Sequence, residues 1–122
     1  MLKKLFSNTG LIDEVIFHPG INIILGKYSK DKEAQGINGI GKSTLIRLID
    51  YSFLSDSAQK IFFNSKYDFL RKSEHEITLE FEVNEKPYYI QRDFSNKLKI
   101  QFGSSLHSLD DFEKSELKSI LT

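Results

Sequence analysis

Eight consecutive residues, Gly36-Ile37-Asn38-Gly39-Ile40-Gly41-Lys42-Ser43, have the types and spacing to hold a polyphosphate. They satisfy G-x-x-x-x-G-K-[ST] at every constrained position. Glycines at these places let backbone N–H groups curl around phosphate oxygens without a Cβ in the way. In such a loop Lys42 reaches the β- and γ-phosphates of a nucleoside triphosphate, and the Ser43 hydroxyl ligates Mg²⁺. Amides from Gly36 through Thr44 would wrap the phosphate tail, with the positive end of a following helix aimed at the anion.

The flanking elements must place that loop. Ile21 to Leu25 reads as a short buried strand, β-branched and closed by Gly26. Thr44 to Leu54 reads as a helix, with Leu45, Leu48, Ile49 and Phe53 at helical spacing. Between strand and loop, residues 27–35 are almost wholly polar and aperiodic, as expected of a surface insertion.

Elsewhere the pattern predicts strands at Leu2–Ser7 and Glu14–His18, the latter ended by Pro19-Gly20. Residues 57–72 are mixed, with Ile61, Phe62, Tyr67 and Phe69 on a short helix or an irregular segment. From Glu74 onward alternation is strict: Ile77, Leu79, Phe81 and Val83 face one way, Glu76, Thr78, Glu80 and Glu82 the other. A turn at Asn84-Glu85-Lys86-Pro87, a return strand Tyr88–Phe94 and a third strand Lys97–Phe102 make an antiparallel meander. Ser108-Leu109-Asp110-Asp111 predicts the start of a last helix, Leu109 to Leu121.

With 122 residues, ten Phe and five Tyr, the chain has the material for one core. Its formal net charge is zero, so no global field draws nucleic acid or an anionic membrane. There is no cysteine, which excludes disulfides and thiolate zinc sites. No segment is long and apolar enough for a bilayer, and the start lacks the apolar core of a signal peptide; the expected location is cytoplasmic. His18, His75 and His107 are isolated and show no metal-ligand spacing. Lys60, Lys66, Arg71 and Lys72 could line a stripe for DNA phosphates, though a solvated face explains them more simply. Arg92, on a strand among aromatics, is expected to pair across strands with Glu80 or Glu82.

Gly20 to Gly26 followed by Asn38-Gly39-Ile40-Gly41-Lys42-Ser43-Thr44-Leu45-Ile46 resembles the start of SMC/RecN-like ATPases, coiled-coil members of the ABC superfamily. Tyr88-Tyr89-Ile90-Gln91-Arg92 adds the aromatic-x-apolar-x-Arg of their meander strand, and the polar insertion is closer to a bacterial ABC-three-component branch. The resemblance implies an α/β fold: the N-terminal lobe of an ABC/SMC-type P-loop NTPase, with a mixed sheet and an antiparallel meander after the P-loop helix. Residues 1–122 would be one ATP-binding lobe, a fragment of a longer coiled-coil ATPase serving DNA repair or antiviral defence. Gly36, Asn38, Gly39, Ile40, Gly41, Lys42, Ser43 and Thr44 would hold ATP, with Ser43 on Mg²⁺. No signature motif and no apolar strand ending in Asp-Glu accompanies the loop, so hydrolysis would await a C-terminal lobe or a second copy of the protein. DNA would be met only through the full-length protein, and no membrane is implied. Two other readings remain at this level: a non-catalytic interaction module on the same fold, and a small P-loop kinase or GTPase. Asn96-Lys97-Leu98-Lys99 begins like the guanine-reading N-K-x-D but ends in Lys.

Overall fold

A computed structural model describes residues 1–18, 42–72 and 74–121. The elements run β1 (Leu2–Ser7), β2 (Val15–Ile16), α1 (Lys42–Ser52), α2 (Asp56–Phe62), a 3₁₀ helix (Ser65–Arg71), β3 (Glu76–Val83), β4 (Lys86–Asp93), β5 (Ile100–Gly103), β6 (Asp110–Asp111) and α3 (Lys114–Leu121). The expected strand at 21–25, the polar insertion and Gly36 to Gly41 lie outside the described residues.

The six strands form one sheet in the order β2-β1-β3-β4-β5-β6, and every pair is antiparallel. This corrects the mixed sheet of a P-loop NTPase lobe. The meander is there, but the sheet grows from it by further antiparallel pairing: β1 lies against β3, with Leu5 opposite Leu79. The alternation of β3 explains that choice. Ile77 and Leu79 are fully buried, and β1 offers Leu2 and Leu5 on the same face.

The β3–β4 hairpin is tighter than its sequence suggests. Val83 pairs with Lys86, so only Asn84 and Glu85 form the turn, both at positive φ (52° and 65°). Positive φ at both central residues suits the right-handed strand twist, and Asn84 tolerates it well. Lys86 and Pro87 belong to β4.

One face of the sheet carries α1, α2 and the 3₁₀ helix. Leu48, Tyr51, Ala58, Phe62, Tyr67 and Leu70 meet Leu5, Ile77, Leu79 and Phe94. Tyr51 stacks on Phe94 at 5.2 Å between ring centroids and meets Phe62 edge-on at 5.6 Å. The Ser55 side chain caps α2 by accepting from the Ala58 N–H. Leu54 ends α1 at φ 71°, a position that usually selects glycine. Its buried side chain holds it there, in a second small cluster with Ile100 and Leu117 where α3 docks.

The C-terminal segment departs from expectation. Asp110 and Asp111 pair with Phe102 and Gln101 as β6, and the Phe112 N–H donates to Ile100 O at 2.9 Å. The helix therefore starts at Lys114, not at Leu109. Gly103 admits this return: a Cβ there would come within 2.9 Å of Ser108 O. Among the described residues no helix is long and apolar enough to cross a membrane.

Candidate functional site: the first turn of α1

Of the residues singled out for phosphate binding, Gly36, Asn38, Gly39, Ile40 and Gly41 lie outside the described residues. Lys42, Ser43 and Thr44 form the first turn of α1. The helix is eleven residues long, packs on β3 and β4, and has no acidic residue in that turn. The first N–H groups of a helix have no intrahelical partner, and its dipole makes that end positive.

Thr44 is the residue of interest. It is fully buried, and its hydroxyl has no hydrogen-bond partner among the described residues. Buried hydroxyls are nearly always partnered, so an orphan needs a reason. Ser52, on the same helix and equally buried, shows the ordinary solution: its Oγ donates to Leu48 O at 2.9 Å. The buried side of α1 runs through Thr44, Leu48 and Tyr51, so the orphan hydroxyl sits at the N-terminal end of the helix's packed stripe. Leu45 and Ile49 flank that stripe half-buried, while Phe53 remains 38% exposed.

The other candidates resolve into structural roles. Arg92 does not pair with Glu80 or Glu82. It stands opposite Ile77 on the core face and is fully buried. Its guanidinium lies 4.1 Å from the centre of the Tyr51 ring and donates to Tyr51 O (2.7 Å), Lys97 O (3.0 Å) and Gln59 Oε1 (3.3 Å). Burial pushes its pKa down from the usual arginine value, with the Tyr51 phenol acting in the opposite direction. Alternation could have placed it: Ile90 and Arg92 fall on one face of β4, and Ile90 is core. Arg71 is likewise committed, donating to Phe62 O, Asn64 O and Asp68 Oδ1 and stacking over Phe63. A DNA-binding stripe through Arg71 is thereby weakened. Leu11 and Ile12 are core, and Glu14 pairs with Lys4 at 2.7 Å. His75 contacts the Thr9 hydroxyl through Nδ1, and burial pushes its imidazole pKa down. No cluster of three metal-ligating side chains occurs among the described residues.

No family model, curated protein or solved structure matches this chain. The resemblance to SMC/RecN-like ATPases is therefore corrected. The sheet is antiparallel throughout the described residues, where a P-loop NTPase fold sets its loop on parallel strands, and no match ties the chain to that family. The assignments that depended on it fall with it: an ATP and Mg²⁺ half-site, an ATPase lobe in DNA repair or antiviral defence, and the P-loop kinase or GTPase and retained-fold interaction module alternatives.

Proposed function

We propose that the first turn of α1, together with the glycine-rich residues before it, binds a single oxyanion group of the phosphate type. The observation that supports it most is the orphan hydroxyl of Thr44, fully buried in the first turn of a helix without an acidic residue there. An oxyanion at this end would accept from first-turn N–H groups and from that hydroxyl at once. In the sequence Lys42 opens the same turn, and Gly36, Gly39 and Gly41 before it bring no Cβ atoms.

Calorimetric titration with inorganic phosphate and then pyrophosphate, on wild type and Lys42→Ala, tests this. One charge-assisted contact is worth about 1.5–3 kcal/mol, so the variant is expected to bind at least about tenfold more weakly. Equal binding by both proteins, or none by wild type, would count against the reading.

A further inference from the structure

A second feature lies away from α1's first turn. A groove of about 600 Å³ opens between α2, the turn that leads into β5, and the start of α3. Asp56, Gln59, Lys97, Leu98, Lys114 and Lys118 are among the residues that line it. Half-buried Gln59 accepts through Oε1 from both Arg92 (3.3 Å) and Lys114 (3.4 Å). Arg92 is fully buried, and among the described residues all its acceptors are neutral and its Nε has no partner. A buried guanidinium without a carboxylate leaves positive potential behind the groove.

The rim shows what that potential attracts. Lys114 Nζ holds Asp56 Oδ1, and Lys118 Nζ lies 3.7 Å from Asp56 Oδ2. The two ammonium groups thus grip both oxygens of one carboxylate, although the Asp56 side chain is 70% exposed. Lys114 and Lys118 hold that carboxyl below its ordinary pKa. Glu113 also lines the groove. Against Asp56 and Glu113 stand Arg92, Lys97, Lys114 and Lys118, an excess of cations. Lys97 has no ion-pair partner among the described residues. Beside it Leu98 is 78% exposed, the most exposed large apolar side chain of the described residues.

We infer that this groove docks an acidic peptide segment, one of whose carboxylates takes the place of Asp56 between Lys114 and Lys118 while another meets Lys97 and an apolar side chain covers Leu98. Charge complementarity selects the occupant: a free small anion would satisfy the lysines but leave Leu98 uncovered. Asp56 is an internal competitor, tethered on α2 and displaced when the peptide arrives. The site is separate from the first turn of α1, so each stands or falls alone.

The test is fluorescence anisotropy with a labelled ten-residue peptide of alternating glutamate and leucine (on the order of three turns if helical). The proteins are wild type, Lys97→Glu, Asp56→Asn, Lys66→Glu and Thr44→Val, each checked for fold by circular dichroism. Exposed charge changes at Lys97 and Asp56 leave the core intact. Binding is expected to weaken about tenfold in Lys97→Glu and to tighten about threefold in Asp56→Asn. Lys66→Glu, at a distant lysine, and Thr44→Val should match wild type. No measurable binding, binding indifferent to Lys97→Glu, or displacement by inorganic phosphate at the peptide's own concentration would overturn the inference, the last because it would make the groove a simple anion site.

Discussion

Replacing Thr44 with valine separates stability from binding at one atom. Valine keeps the branched shape and, in a helix, nearly the same intrinsic propensity, so the change removes the hydroxyl and little else. That hydroxyl is buried without a partner among the described residues. A buried unsatisfied polar group costs about 1–3 kcal/mol, and taking the lower end, Thr44→Val should stabilise the anion-free protein by about 1 kcal/mol. With an unfolding entropy of about 2.1 cal/mol/K per residue, a 122-residue chain gains about 4 °C in Tm for each kcal/mol. Phosphate then reverses the order of benefit. At ten times its Kd, an anion stabilises wild type by about 1.4 kcal/mol through mass action. If the variant binds tenfold more weakly, the same concentration gives it only about 0.4 kcal/mol. The 4 °C advantage of the variant should therefore close as phosphate is added. Differential scanning calorimetry at fixed ionic strength reads both numbers, and the comparison between the two proteins cancels the general salting effect of phosphate. A variant less stable than wild type without phosphate would show that the hydroxyl already has a partner. Equal gains in phosphate would show that it does not meet the anion.

Three further outcomes are expected. Tyr51 donates to Asp93 O at 2.8 Å, and burial pushes its phenol up to about 12. Because that pKa is raised above the unfolded value, the associated stability is complete below about pH 10 and is lost as pH rises through about 12; Tyr51→Phe should flatten urea midpoints across that window. Arg92→Lys should cost about 2 kcal/mol in chemical unfolding, since an ammonium cannot serve the forked set of acceptors and leaves a buried carbonyl unpaired; a loss below about 0.5 kcal/mol would show the guanidinium network is dispensable. Glu85 is exposed and held at φ 65°, so Glu85→Gly should raise stability by about 0.5–1 kcal/mol, and a loss of stability would contradict the two-residue turn.

Local pattern made part of this fold legible. Alternation in β3 identified Ile77 and Leu79 as core before any pairing was known, and helical spacing found the body of α1. Partner choice is set by tertiary contact, and there local reading failed. Asp110 and Asp111 have the residue types of a helix start, yet the bonds to β5 outweigh that preference and delay α3 to Lys114. Arg92 is expected from its charge and strand to pair with Glu80 or Glu82, yet its position relative to Ile90 places it in the core. The mixed sheet rested on a resemblance carried by a short stretch around the glycine loop, whereas β1 reaches β3 across some seventy residues of chain. The groove was invisible in the sequence because three separated segments build it. For the first turn of α1, residue types pointed to an anion-binding end, but only burial revealed that the Thr44 hydroxyl lacks a partner.

The most direct measurement is an amide ¹H–¹⁵N titration of the uniformly labelled chain with pyrophosphate. Saturable shifts concentrated at Ser43, Thr44 and Leu45 are expected, with the Thr44 hydroxyl variant showing them only at roughly tenfold higher concentration. An unmoved first turn, or shifts concentrated instead at Lys114 and Lys118, would contradict an oxyanion site at the head of α1.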